Sequence, residues 1–234
     1  VETLKNVNFI AAEDTRNTVK LLNHFEIDTK LISHHEHNLV TSIPKIIQLL
    51  EEGNDIALVS DAGYPAISDP GYELVKAAIT KDINIVPISG ANACLNALVV
   101  SGIAPQPFLF YGFLDHQDKK KKKELELLKK YQETIVFYEA PHHLVDTLES
   151  IYKTVGDRNI AVARELTKKH ETVNRGTVGE VLEYFKENEP KGEFVLVLEG
   201  KDKEKIKEDK IASFEEMTIE EHFNMYIEQG MSEK

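Results

Sequence analysis

The sequence predicts an α/β fold built from two α/β domains, with a mostly parallel sheet in the first and a mixed sheet in the second. Three observations predict it. Apolar runs of strand length alternate with amphipathic segments of helix length from the N-terminus to about Gly200. The alternation comes in two series, separated by the charged stretch Asp115–Lys123. A length of 234 residues suits one large domain or two small ones, each with its own core.

In chain order, Val7–Ala12 reads as a buried strand and Thr15–His24 as a helix with Val19, Leu21 and Leu22 inward. Lys30–Ser33 is a short strand. Asn38–Glu52 is an amphipathic helix containing Pro44, with Gly53 placed to cap its C-terminus. Asp55–Ser60 has the continuous apolar character of a fully buried strand. A helix over Gly71–Thr80, a strand over Ile83–Ile88, a helix over Ala91–Val100 and a strand over Gln106–Gly112 complete the first series. Such βαβα alternation implies parallel strands with helices on both faces. The second series reads as a helix (Lys119–Tyr131), a strand (Thr134–Tyr138), a helix opened by proline (Pro141–Lys153), a strand (Asn159–Arg164), a helix (Val178–Asn188) and a strand (Glu193–Glu199). The boundary falls near Phe113–Asp118. This gives an N-terminal domain over 1–114, a C-terminal domain over 115–200 and a charged helical extension over 201–234. Within the extension Lys201–Lys210 reads as a solvated helix or linker and Thr218–Gln229 as a last helix.

Composition narrows the function. The net charge is −12, from 28 basic and 40 acidic residues, which disfavours non-specific binding of nucleic acid but leaves room for a local basic patch. The strongest basic run, Lys119–Lys123, reads either as the solvated start of a helix or as a phosphate contact. No apolar run approaches the roughly 20 residues of a membrane span, and the charged N-terminus does not read as a signal peptide. Cys94, the single cysteine, excludes an intrachain disulfide and suits a reducing cytoplasm. It reads as a small buried hydrophobe. The cluster His34-His35-Glu36-His37 invites a metal reading. Neighbouring side chains on a strand or loop diverge, so it is read as a polar loop after a strand, and no metal is expected. Dinucleotide, P-loop, nucleophile-elbow and zincin motifs are all absent from the sequence.

Ligands of open α/β sheets bind beyond the carboxyl ends of the strands. Four segments lie there: Glu13-Asp14-Thr15-Arg16, Ser60–Gly71, Ser89-Gly90-Ala91-Asn92 and Glu139-Ala140-Pro141-His142-His143. The second is long for an α/β connection, and such loops usually carry function. Gly63 lets a ligand approach the backbone, Pro65 and Pro70 stiffen the loop, and Asp61 is placed to orient a ligand amine or hydroxyl. Asp69 reads as the cap of the following helix. Ser89-Gly90-Ala91 would present backbone N–H groups to a ligand.

Taken together, AAEDTR (Ala11–Arg16), SDAGYPAISDPG (Ser60–Gly71), VPISGANA (Val86–Ala93), LVVSGI (Leu98–Ile103), FLFYGFL (Phe108–Leu114), FYEAPHHL (Phe137–Leu144), VARELTKKHE (Val162–Glu171), RGT (Arg175–Thr177) and KGEFVLVLEG (Lys191–Gly200) resemble the tetrapyrrole methylase superfamily. This is the third class of S-adenosyl-L-methionine methyltransferases, and the likeness is to its ribosomal RNA small-subunit branch. The resemblance implies methyl transfer from S-adenosyl-L-methionine to the ribose 2′-hydroxyl of cytidine 1402 in 16S rRNA of the small ribosomal subunit. It also implies a cofactor cleft between two domains, a homodimer and a cytoplasmic location. The cofactor-binding residues expected from it are Ser60, Asp61, Ala62, Gly63, Ile67, Ser89, Gly90, Ala91, Tyr138 and Ala140. For the chemistry the expectation is Glu165 with Lys168 as its electrostatic partner, together with Glu13 and Arg16. Two departures stand out: Tyr64 where a threonine is usual and His143 where an arginine is common. Beside the family, the first strand with its T-P-I-G-N loop is missing before Val1, and Lys234 lies inside what resembles the family's C-terminal extension, so the expectation is that both ends are truncated. Two other functions compete: C-methylation of a corrin-pathway tetrapyrrole, and RNA or ribosome binding without catalysis.

Overall fold

In a computed structural model, residues 1–202 are described here. They form two compact units, Val1–Ala93 and Cys94 onward. Among the described residues no helix is long and apolar enough to cross a membrane.

The first unit opens with a short helix, α1 (Glu2–Asn6), followed by β1 (Phe9–Ala12), α2 (Thr15–His24), β2 (Lys30–Ser33), α3 (Leu39–Glu51), β3 (Ile56–Val59) and α4 (Tyr72–Ile79). The three strands form a parallel sheet in the order β2-β1-β3. The central strand is sealed on both faces: Ile10, Ala11 and Ala12 expose no surface. On one side Ala11 and Ile32 pack against Ile46 and Ile47 of α3 and Leu74 and Ala78 of α4. On the other, Ile10 meets Leu22 and Ile27.

Helix α2 turns Thr18 and Leu22 inward, while Val19 and Leu21 face outward. Residues four apart share a helical face, and those one position away rotate off it by about 100°. The sequence expectation for Val19 and Leu21 is therefore corrected. Pro44 lies inside α3, and Gly53 follows that helix with φ +88°. Strand β3 is half-buried rather than fully buried, because β1 is its one hydrogen-bonded neighbour among the described residues. Ile83–Ile88 is not a strand. Ile83 packs on the core, but Ile85, Val86 and Ile88 are exposed and the segment joins no ladder. Apolar alternation makes a strand only where a neighbour accepts its backbone hydrogen bonds.

The second unit contains α5 (Ala93–Ser101), β4 (Phe108–Phe113), α6 (Asp118–Leu128), β5 (Thr134–Glu139), α7 (Leu144–Thr154), β6 (Asn159–Arg164), β7 (Thr172–Thr177), α8 (Val178–Glu187) and β8 (Phe194–Leu198). Its sheet runs β4-β5-β8-β6-β7, with β4 parallel to β5 and the remaining pairs antiparallel. Its core includes Phe137, Leu144, Leu148, Ile151, Leu182, Phe185 and Leu196. Helix α8 begins with a reciprocal cap in which Glu180 N–H donates to Thr177 Oγ1 (3.3 Å) and Thr177 N–H donates to Glu180 Oε2 (2.9 Å).

The division between units comes at Ala93/Cys94, earlier than the boundary read near Phe113–Asp118. Strand β4 pairs with β5, so the segment assigned to the first series forms an edge of the second sheet. Strand β7 has no counterpart in the sequence reading: Thr172–Thr177 contains Asn174 and Gly176, carries a weak apolar pattern and forms the sheet edge against β6. The expected helix Thr218–Gln229 and nearly all of Lys201–Lys210 lie outside the described residues.

Leu148 is completely buried on α7, whereas Val40 is 89% exposed. Leu148→Ala is expected to cost about 3 kcal/mol in urea denaturation, and Val40→Ala less than about 0.5 kcal/mol.

Candidate active site

The parallel register aligns Ala12 of β1 with Ser33 of β2 and Val59 of β3, so all three strands end at one level. Glu13, His34 and Ser60 leave the sheet together. Asp14 caps α2 by accepting from Arg16 N–H (2.8 Å), and the Arg16 guanidinium folds back onto the same carboxylate, with Nε to Oδ1 at 3.0 Å and Nη2 to Oδ2 at 2.8 Å. This double embrace holds the Asp14 carboxyl down to about 2.

Glu13 and Asp61 meet across the sheet end: Asp61 N–H donates to Glu13 Oε2 (3.3 Å), and Asn17 Nδ2 donates to Asp61 Oδ2 (2.9 Å). Burial raises the Glu13 carboxyl above its ordinary value. The Asp61 N–H opposes the rise, and the charges of Asp69, Asp61 and Asp14 add to it. Asp69 is raised likewise, first by burial and then by the charge of Asp61, against a hydrogen bond from Ser60. Asp69 therefore belongs to this carboxylate group. Gly71 is the N-cap residue of α4, without a side-chain hydrogen bond, which corrects the reading of Asp69 as a cap.

The loop from Ser60 to Gly71 is tightly wound. Gly63, Ala66 and Gly71 have φ of +79°, +68° and +146°. A Cβ on Gly71 would stand 2.7 Å from Leu58 Cδ2, so the chain passes β3 only where no side chain exists. Asp61, Ala62, Gly63 and Ile67 are left exposed at the loop's rim. Ser89, Gly90 and Ala91 are exposed as well. The Gly90 N–H donates to the phenol oxygen of Tyr64 at 2.9 Å, tying two of the expected cofactor loops together. Neither Asn17 nor Tyr64 is picked out as a contact by sequence reasoning. The signal for Asn17 is its place one helical turn beyond Glu13, and for Tyr64 its departure from the usual threonine.

In the polar segment after β2, Glu36 and His37 are exposed, whereas His34 is buried, 1% exposed. Its Nδ1 lies 2.9 Å from Ser42 Oγ, and burial holds the imidazole below its ordinary range. Among the described residues, no group of three or more His, Cys, Asp or Glu side chains is arranged to hold a metal ion. Cys94 is buried, and its thiol is pushed up to about 11 by that burial.

In the second unit Glu165 and Lys168 do come together. Lys168 Nζ lies 3.1 Å from Glu165 Oε1 and 2.7 Å from Glu193 Oε2, and Glu193 N–H donates to Glu165 Oε1 at 2.9 Å. Glu165 and Thr167 have φ of +49° and +68°. Two non-glycine residues in this strained region mark a constrained loop. A Cβ on Gly192 would come within 2.5 Å of Glu165 Cγ. The Glu193 N–H, followed by Lys168, holds the Glu165 carboxyl below the usual range. Glu193, not singled out in the sequence, is thus the third member of this cluster. Tyr138 lies in β5 with its ring edge-on to Phe110 and Phe113. Ala140 N–H donates to Glu139 Oε1, and the other carboxylate oxygen of buried Glu139 accepts from Thr147 Oγ1 at 2.5 Å.

Replacing Tyr64 by Phe removes the acceptor on Gly90 N–H while keeping the ring. Hydrogen exchange at the Gly90 amide is expected to accelerate by about 5-fold, the worth of a single hydrogen bond of roughly 1 kcal/mol. Unchanged protection would mean that the loops are held without Tyr64.

Comparison with known proteins gives a consistent result. The model of the family described as Tetrapyrrole (Corrin/Porphyrin) Methylases matches residues 1–182. The chain is 54% identical over its full length to a protein named Ribosomal RNA small subunit methyltransferase I from Bacillus subtilis, covering 80% of that relative. Proteins of the same name from Halalkalibacterium halodurans (47% identity, all of this chain and 80% of the relative) and Synechocystis (49% identity, 86% of this chain and 72% of the relative) are also similar. Among solved structures, the methyltransferase CobJ superposes with a TM-score of 0.61 at 16% identity, covering 85% of each chain. Uroporphyrin-III-C-methyltransferase from Thermus thermophilus superposes with 0.56 at 17% identity, covering 84% of each. At such identities the structures speak for the fold alone. The end-aligned parallel strands, the wound loop beyond the third of them and the matches over nearly the whole chain agree, and the chain belongs to the tetrapyrrole (corrin/porphyrin) methylases.

Proposed function

We propose that this chain methylates ribosomal RNA of the small subunit with S-adenosyl-L-methionine as donor, at the 2′-hydroxyl of cytidine 1402 in 16S rRNA. The observation that carries the reading is identity of 47–54% over the full chain with relatives bearing the small-subunit methyltransferase name. The corrin-type enzymes resemble it at 16–17% identity, so the RNA substrate is preferred over a tetrapyrrole. A cytoplasmic homodimer belongs to the same reading.

The residues of the first unit suit this cofactor. It carries positive charge at its sulfonium and ammonium groups, and the Asp61 carboxylate stands close enough to add to the raised proton affinity of Glu13 and of Asp69. A bound cation relieves that repulsion. The exposed residues Ala62, Gly63, Ser89 and Ala91 offer backbone N–H donors, Gly90 is held by Tyr64 between them, and Ile67 offers an apolar surface. In the second unit, Tyr138 and Ala140 are the residues proposed for the cofactor. When bound, the cofactor supplies an activated methyl group.

The chain must then align the acceptor hydroxyl and take its proton. Glu13 is the better proton acceptor, because its raised carboxyl is the more basic. Glu165, held low by the Glu193 N–H and Lys168, stays charged and positions its loop. Arg16, paired with Asp14 but 86% exposed at its side chain, presents cationic surface to the RNA.

Tritiated-methyl transfer to small subunits lacking the modification, followed by mapping of the labelled nucleotide, tests the function. Label at a base carbon, or none at all, rejects it. In single-turnover assays Glu13→Gln is expected to slow transfer by about 10²-fold or more, and Glu165→Gln by much less. With the wild type, the rate falls as the pH drops and Glu13 becomes protonated. Since its carboxyl is raised, the fall begins above the ordinary glutamate range. A Glu13→Gln rate equal to wild type removes Glu13 from the chemistry.

A further inference from the structure

A protein of net charge −12 that takes RNA as substrate needs a place where cations are not cancelled. Among the described residues, many cations of the second unit are already engaged. Lys129 pairs with Glu126, Lys153 with Glu149, Lys168 with Glu165 and Glu193, Lys186 with Glu149 and Glu183, and Lys191 with Glu189. The Arg175 guanidinium donates to Val100 O, at the end of α5. Arg158 donates to the carbonyl oxygens of Lys129 and Glu199.

Helix α6 differs. Lys121, Leu125 and Leu128 form its buried stripe. That stripe turns Lys119, Lys122 and Lys123 outward, where all three are exposed and line one open depression with Glu126 and Leu127. Among the described residues none of the three enters an ion pair. The neighbouring carboxylates are turned elsewhere: Asp115 to Lys120 (3.3 Å), Glu124 to the Asp115 N–H (2.9 Å) and Glu126 to Lys129. Asp118 remains at the helix N-terminus, where the helix dipole favours it. The outward face therefore carries three lysine charges within about one helical turn, ~5.4 Å of rise.

We infer that the Lys119, Lys122 and Lys123 face of α6 binds the phosphate backbone of the substrate RNA. Lysine ammonium groups neutralise phosphates without reading bases. This face supplies affinity and orientation, and the choice of nucleotide is made elsewhere. The inference rests on the RNA reading above and adds the surface that holds the substrate.

The test compares the full chain with its Lys119→Gln/Lys122→Gln/Lys123→Gln variant in binding to unmodified small subunits across a salt series. A Lys120→Gln variant, whose lysine is already paired, serves as control. The triple variant is expected to bind about 10-fold more weakly at physiological salt, with the slope of log affinity against log salt reduced by about two to three. The KM for subunits should rise while cofactor affinity and kcat at saturating subunits hold, and the control should match wild type. If wild type binds subunits and the triple variant has the same affinity and slope, the inference fails. Wild type that binds and methylates no small-subunit RNA overturns the functional reading instead. Wild-type affinity restored to the triple variant by Lys119→Arg/Lys122→Arg/Lys123→Arg replacement would confirm that charge at these positions is what matters.

Discussion

Everything at the candidate site hangs on the parallel hydrogen-bonded register of β1 with its two neighbours. Ala12 lies level with Ser33 and Val59, His34 N–H donates to Ala12 O at 2.8 Å, and Glu13 N–H donates to Val59 O at 3.4 Å. Three strands therefore release their loops at one height. A strand with no exposed surface at Ile10, Ala11 and Ala12 cannot slip without turning apolar side chains to water and polar ones to the core. That constraint brings Glu13 beside Asp61, although 48 residues separate them in the chain.

The two units treat their acidic residues in opposite ways. In the first, burial and mutual repulsion raise Glu13 and Asp69, leaving a site that favours a cation or a proton. In the second, Glu165 is surrounded by a backbone N–H and a lysine and is held in its charged form. The same residue type thus has its proton affinity raised in one setting and lowered in the other. Environment decides which, because burial disfavours the ionised carboxylate while a donated hydrogen bond or a nearby cation favours it.

Backbone strain falls on the same two places. Ala66 in the wound loop and Glu165 and Thr167 after β6 hold positive φ without being glycine. Such conformations persist where the surroundings over-determine them. At Ala66 the surroundings are Gly71, packed against Leu58, and at Glu165 they are Gly192 and the Glu193 N–H. The loops expected to carry function are in this sense held shapes.

Much of this was legible in the sequence. The alternation of strand and helix, the α/β class, the wound loop at Ser60–Gly71 and the family all follow from local residue pattern, because propensity, turn chemistry and motif spacing act over a few residues. Pairing was not legible. Ile83–Ile88 has a strand's composition but no neighbour to bond, Thr172–Thr177 lacks the composition yet finds β6, and β4 joins the second sheet rather than the first. The partners of Glu13, Tyr64 and Glu165 (Asp61, Gly90 and Glu193) stand 48, 26 and 28 residues away. The sequence by itself determined which segments form elements and which loops hold reactive groups. Tertiary structure alone decided which carboxylate has its proton affinity raised, which strand found a ladder and which lysines stayed out of ion pairs, because those outcomes depend on contacts between residues far apart in the chain.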